Sequence, residues 1–333
     1  VPLYRVYGIL IASDVPLPEL TPVKLAVSEH EPQVSVALQA PLRLPPAHLS
    51  WSMLYEAGDG SVWTLWAKDE DGYYLRFPEI ADFRVSPGGD EIECIGRAGA
   101  TSHATLRHLL LDLILPAVLN LRGGEALHAT AVVTPHGLCA FTGPSGAGKS
   151  TLAASFMLAG YPGFGDDCLA VSEADGRIVG APAYPGVRLW DDSLRSLTNG
   201  RKQAGAERLA RVAHYTTKHR AFERESADRF AADPRPLAAI YRLIREPAAG
   251  DGCAPAIEPL SPRNAMIELL NASYRLDLAN RDLLAREFRC LERIARLVPM
   301  RRLRIPEDFA ALPAVREAVL SDLAGLELPP SRR

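Results

Sequence analysis

Gly143-Pro144-Ser145-Gly146-Ala147-Gly148-Lys149-Ser150 is the stretch on which the reading of this 333-residue chain turns. It meets G-x-x-x-x-G-K-[ST] at every fixed position, between an apolar run, Leu138 to Thr142, and a helix-forming run, Thr151 to Ala159. Strand, glycine loop and helix in that order make a phosphate cradle. The glycines let successive backbone N–H groups face one centre, and the positive end of the following helix adds to them. Lys149 is then the cation for the β- and γ-phosphates, and the Ser150 hydroxyl is the Mg²⁺ contact. The expected nucleotide site is Gly143, Pro144, Ser145, Gly146, Ala147, Gly148, Lys149, Ser150 and Thr151, with ATP and Mg²⁺ as cofactors.

Mg²⁺ needs carboxylate as well. The next acids are Asp166 and Asp167, one helix and a return turn beyond Lys149, and they precede the apolar run Cys168 to Val171 instead of closing it. Two adjacent carboxylates beside a triphosphate repel it unless one holds metal and the other serves as a base. The reading assigns Asp166 as base for an acceptor hydroxyl and Asp167, with Ser150, as metal ligand.

Outward from the loop, Val1 to about Gly99 carries short strand-like runs: Tyr4 to Ile11, Val34 to Leu38, Ser61 to Ala67, Tyr73 to Phe77 and Glu91 to Ile95. Asp59-Gly60, Asp71-Gly72 and Pro87-Gly88-Gly89 sit where hairpin turns are expected, so residues 1–100 read as a β-rich domain. Thr101 to Asn120 reads as a helix capped by Thr101 or Ser102 and opens the second domain, 101–333. There Ala126 to Val133 and Leu138 to Thr142 form a strand pair, and Leu169 to Ser172 and Arg177 to Ala181 continue the sheet. The last third is predicted to be mainly helical, with amphipathic spacing at Asn264 to Leu270, Asp282 to Leu297 and Ala314 to Leu323. The fold class is therefore α/β.

The bulk chemistry narrows the partners. With 37 basic and 40 acidic side chains the net charge is −3, which is no nucleic-acid signature. Two basic stretches, Arg201 to Arg224 and Arg286 to Arg304, read as solvated helix faces. Five widely spaced cysteines, Cys253 among them, show no Cys-x-x-Cys pair and suit a reducing, cytoplasmic setting. The apolar run Leu109 to Leu121 is broken by Asp112, Pro116 and Asn120 and reads as core helix, so no membrane partner is expected. A homo-oligomer is compatible with the composition.

Leu127-His128-Ala129, the loop Gly143 to Ser150 and the pair Asp166-Asp167 together resemble the HPr serine kinase/phosphorylase family, whose kinase core is related to phosphoenolpyruvate carboxykinase. The resemblance implies a P-loop kinase core of that type, with a β-rich N-terminal domain and a helical C-terminal tail, and it implies that His128 lies close to the transferred phosphate. Pro144 and Thr151 depart from it, since that family usually carries an acid and a glutamate there. The stretch Ala183 to Trp190 lacks the glycine-rich signature linked to phosphorolysis. Tyr4 to Gly8, Ile11 to Leu20, Pro182 to Trp190 and Pro236 to Tyr241 look like the HPr-kinase-like enzymes associated with lasso-peptide maturation. That likeness implies γ-phosphoryl transfer from ATP to a C-terminal serine of a precursor peptide. The expected catalytic set is Asp166, Asp167, Lys149, His128 and Arg188, with Arg188 as anchor for the peptide carboxylate and Lys218 to Arg224 in reserve. A small-molecule kinase, a bifunctional HPr-type enzyme and a nucleotide-gated binding protein are the alternatives.

Overall fold

The computed structural model describes residues 1–23, 31–39, 44–56, 60–97, 101–198, 218–221, 228–247 and 254–326. Asp59, Cys253, and Arg201, Lys202, Arg208, Arg211 and Arg224 of the first basic stretch lie outside them. The chain is mixed α/β and divides into two compact units, Val1–Gly124 with Arg275–Leu283, and Glu125–Tyr274 with Leu284–Arg333. The sequence reading placed the boundary at residue 100. Instead, the helix after it belongs to the first unit, where its apolar face is buried.

In the first unit β1 (Leu3–Val6), β2 (Ile9–Ser13), β3 (Val34–Ala37), β4 (Ser52–Glu56), β5 (Val62–Asp69), β6 (Gly72–Phe77), β7 (Ala81–Val85) and β8 (Glu91–Arg97) form one sheet, ordered β1-β2-β3-β8-β7-β6-β5-β4. The run Tyr4 to Ile11, read as one strand, is a hairpin: Tyr7 and Gly8 both have positive φ (54° and 82°), as a two-residue turn requires. The Tyr7 hydroxyl pins that turn by donating to the Leu111 carbonyl at 2.9 Å. Leu111 lies in a π-helical turn (Leu110–Ile114) that joins the helix α1 (His103–Leu109) to α2 (Leu115–Leu121). Ser102 caps α1 by accepting from Thr105 N–H. Pro116 has no N–H to return to Asp112, and a π turn relieves that mismatch. His103–Leu121 is long and apolar enough to cross a membrane, but most of it is buried in the unit.

The second unit holds β9 (Glu125–Leu127), β10 (Thr130–Thr134), β11 (Gly137–Thr142), α3 (Lys149–Leu158), β12 (Gly163–Gly165), β13 (Leu169–Ala174), β14 (Arg177–Ala181), β15 (Val187–Leu189), α4 (Asp191–Thr198), β16 (His219–Ala221), β17 (Arg235–Glu246), β18 (Ala256–Pro259), α5 (Pro262–Ala272), α6 (Arg281–Leu297), β19 (Met300–Pro306) and α7 (Leu312–Ala324). The main sheet runs β12-β10-β11-β17-β14-β13-β9, with β19 beside β17 and β18 beside β19. The last third was expected to be mainly helical, yet it supplies β17 and β19, which lie parallel to β11 and to each other in register. Leu237 to Tyr241 of β17 is apolar and buried throughout, as suits a strand covered on both faces.

Side-chain alternation builds two cores from one sheet. Leu138 and Ala140 of β11 and Ile240 of β17 face one core with Leu269, Leu291 and Ile294 of α5 and α6. Cys139, Phe141 and Tyr241 face the other with Leu152 and Phe156 of α3 and Val315 and Val319 of α7. Each fully buried Phe or Leu contributes about 1.5–3 kcal/mol by leaving water. In this three-layer unit the loop Gly143–Gly148 leaves the carboxyl end of β11, beside its parallel neighbour β17. Open α/β sheets bind ligands at that edge.

Candidate functional site

After Thr142 the backbone enters the left-handed region at Gly143, Gly146 and Gly148, with φ of 146°, 82° and 97°. At Gly143 space is short too, because an added Cβ would stand 3.0 Å from an Arg242 guanidinium nitrogen and 3.1 Å from Ala147 Cβ. At Gly148 there is room, so conformation alone demands glycine there. α3 starts directly from Gly148 with no side-chain cap, which leaves its first N–H groups to the loop. The buried Lys149 ammonium folds back over the loop and donates to the carbonyls of Gly143 (2.8 Å) and Pro144 (3.3 Å). Burial lowers its pKa, against the pull of Asp167 and Asp166.

The acids reach the loop from β12. Gly165 lets that strand pass close to the following segment, since a Cβ there would lie 2.8 Å from Ala183 Cβ. Asp166, 2% exposed, accepts from Thr130 Oγ1 at 2.7 Å and Ser150 Oγ at 2.8 Å on one oxygen, and from Arg188 N–H at 2.7 Å on the other. Asp167 has φ 62°, and Cys168 N–H closes onto the Asp166 carbonyl at 2.8 Å, making a tight turn centred on Asp167. A non-glycine residue held so costs on the order of 1–3 kcal/mol, and such strain concentrates at functional sites.

Arg188, in β15, is 4% exposed and serves the two acids. Its guanidinium lies 3.3 Å from Asp167 Oδ2 and 3.8 Å from Asp166 Oδ2, and donates to Tyr184 Oη at 3.2 Å. The expected role as anchor for an outside carboxylate does not match this geometry, because the fork is buried and already engaged. Its contacts are with Asp166, Asp167 and Tyr184.

The carboxyls respond in opposite directions. Burial, then repulsion by Asp167, raises the Asp166 pKa, with Arg188 opposing. Burial also disfavours the Asp167 anion, but Arg188, Lys218, His128 and Lys149 outweigh it and hold that pKa well below the carboxylate range. The expected pairing of Ser150 with Asp167 is therefore not the one formed. Ser150 pairs with Asp166, because the turn aims consecutive carboxylates at different neighbours.

His128 lies between β9 and β10, where Ala126 to Val133 had read as one strand. Its N–H donates to the Ala272 carbonyl at 2.5 Å, and Tyr274 N–H donates to the Ala126 carbonyl at 3.2 Å. The segment after α5 is thus zipped to the end of β9. His128 Nδ1 is 3.1 Å from Tyr274 Oη, whose proton goes to the Asp167 carbonyl at 2.7 Å. Burial lowers the His128 pKa to about 4, with Asp167 opposing and Lys149 and Lys218 reinforcing, so the ring is neutral at pH 7.

Sequence reasoning missed Thr130 and Tyr274, which no motif spacing marks, and held Lys218 only in reserve. The Lys218 ammonium lies 5.5 Å from the centre of the Trp190 ring, and its charge reaches Asp167, His128 and Lys149. Among the described residues no group of three or more His, Cys, Asp and Glu could hold a metal. The donor set of the Ser150 hydroxyl and the Asp166 carboxylate does fit Mg²⁺, which takes one or two protein oxygens and fills the rest with phosphate and water. A cation there would also offset the burial that disfavours the Asp166 anion.

No protein-family model and no curated protein matches the chain. Among solved structures it is similar to the Hpr(Ser) kinase/phosphatase from Coxiella burnetii, at 10% sequence identity and a TM-score of 0.32, over 59% of this chain and 97% of that one.

Proposed function

We propose that the chain is an ATP-dependent phosphotransferase with a P-loop kinase core, moving the γ-phosphoryl group to a hydroxyl, with a serine near the C-terminus of a precursor peptide as acceptor. The observation that carries this reading is the 2.8 Å bond between Ser150 and Asp166 beside a loop with three left-handed glycines. It joins the last residue of a phosphate loop to a buried carboxylate, as a site for a metal nucleotide requires.

The loop N–H groups and Lys149 would hold the phosphates, with Lys149 exchanging its two loop carbonyls for phosphate oxygens. Ser150 and Asp166 would hold Mg²⁺, which when bound neutralises charge on the phosphate oxygens. Asp167, kept ionised, would orient the acceptor hydroxyl. As the acceptor oxygen bonds to the γ-phosphorus, the bond to the β-bridging oxygen breaks, the hydroxyl proton passes to Asp167 and ADP leaves. Lys218, whose ammonium lies 5.5 Å from the centre of the Trp190 ring, would meet the peptide carboxylate, and Trp190, 41% exposed, offers an apolar surface beside it.

The test is ADP release on adding serine peptides at fixed ATP and Mg²⁺. Acceptor-dependent release that vanishes in Asp166→Asn is expected. ATP binding with no release for any serine peptide would leave the small-molecule kinase or the nucleotide-gated binder.

A further inference from the structure

Tyr274 has one hydroxyl proton, and the structure commits it. Oη donates to the Asp167 carbonyl at 2.7 Å, so toward His128 Nδ1, 3.1 Å away, the same oxygen can only accept. The imidazole proton therefore sits on Nδ1, and Nε2 carries the lone pair. We propose that Tyr274 is a positioning residue of this site, holding His128 in the Nδ1–H tautomer and fixing the carbonyl of the strained Asp167 turn through a single hydroxyl.

Three features make this a built arrangement. Tyr274 is 6% exposed and its ring meets that of His128 edge-on, with centroids 6.0 Å apart. Its backbone is held by the bond to Ala126, and Ser273 beside it pairs with Leu127 and donates to Glu125 Oε1 at 2.9 Å. The Asp167 carbonyl belongs to a left-handed residue, a conformation that an outside hydrogen bond helps to keep.

The chemical consequence concerns the ring's other nitrogen. An Nε2 without a proton can accept from a hydroxyl but cannot donate to a phosphate oxygen. Beside Lys149 and Lys218, which already supply positive charge, it adds a neutral acceptor to the anionic one of Asp167. In the phosphotransfer proposed above, on which this consequence rests, His128 would receive a hydrogen bond from the acceptor or a water and would not brace the transferring group.

Nitrogen-15 correlation spectra of the ring nitrogens in the full chain at pH 7, with His128→Gln as assignment control, test the tautomer without any turnover. Wild type should show a pyrrole-type Nδ1 and a pyridine-type Nε2, and Tyr274→Phe should move both toward tautomer exchange. In kinetics Tyr274→Phe should lower kcat by about tenfold or more with KM for ATP unchanged, and should add nothing in the His128→Gln background. A wild-type His128 protonated on Nε2, or a tautomer unmoved in a folded Tyr274→Phe, would overturn the proposal. Because the wild-type spectrum alone decides the tautomer, a variant that does not fold leaves the test intact. A locked Nδ1–H tautomer in a protein that transfers no phosphate would retire the kinase reading and keep the role of Tyr274.

Discussion

Ser150 Oγ donates to Asp166 Oδ1 at 2.8 Å, while the neighbouring carboxylate of Asp167 turns to the Arg188 guanidinium at 3.3 Å. Two consecutive acids thus have different partners. Asp166→Asn should raise the Mg²⁺ concentration needed for nucleotide binding. Asp167→Asn should leave that titration unchanged and lower kcat by about 10²–10⁴-fold. Superimposable Mg²⁺ titrations of the two variants would remove the division.

Lys149→Ala takes a cation from the loop and leaves only loop carbonyls to be resolvated. Turnover should fall by about 10²–10³-fold or more, with the far-UV circular dichroism of the wild type. Activity within a few-fold of wild type would show that the loop does not hold the reacting phosphates.

Arg188→Ala takes the guanidinium from the buried Asp166 and from the partly exposed Asp167. Breaking a buried pair from one side costs about 3–5 kcal/mol, so the urea midpoint should drop well below that of wild type. Lys218→Ala should make free and C-terminally amidated serine peptides equal in kcat/KM, where wild type prefers the free form. Equal use of both peptides by wild type would refute carboxylate anchoring.

His128 gives stability a pH dependence whose sign follows from burial. The unfolded ring takes its proton near pH 6.5 and the folded ring only near about 4, so across that window the unfolded state binds more protons. Stability should fall as pH drops from 6.5 to about 4, and His128→Gln should flatten that part of the profile. A thermal-unfolding series over pH 4–7 with equal slopes for both proteins would contradict the assignment.

Local order along the chain is enough to read the loop, its strand and helix, and the acids one helix and a return turn further on, because a glycine-rich phosphate loop needs fixed residue types at fixed spacing. Helix caps and amphipathic periods were legible too, narrowing the cap to Thr101 or Ser102 and marking the middles of α5, α6 and α7. β17 was not distinguishable from a buried helical run, since a strand covered on both faces loses the alternation that marks a half-buried strand, and β19 was hidden by Arg301, Arg302 and Arg304, which read as part of a solvated helix face. Only the tertiary structure decided which acid meets Ser150, for that depends on the left-handed turn at Asp167, which no neighbouring residue type demands. Arg188 was visible as a charge, but its burial between Asp166 and Asp167 turns a presumed anchor into a brace. Tyr274 could not be found from sequence, because its role comes from a backbone pairing between β9 and the end of α5, segments far apart in the chain and joined by hydrogen bonds that carry no residue signature.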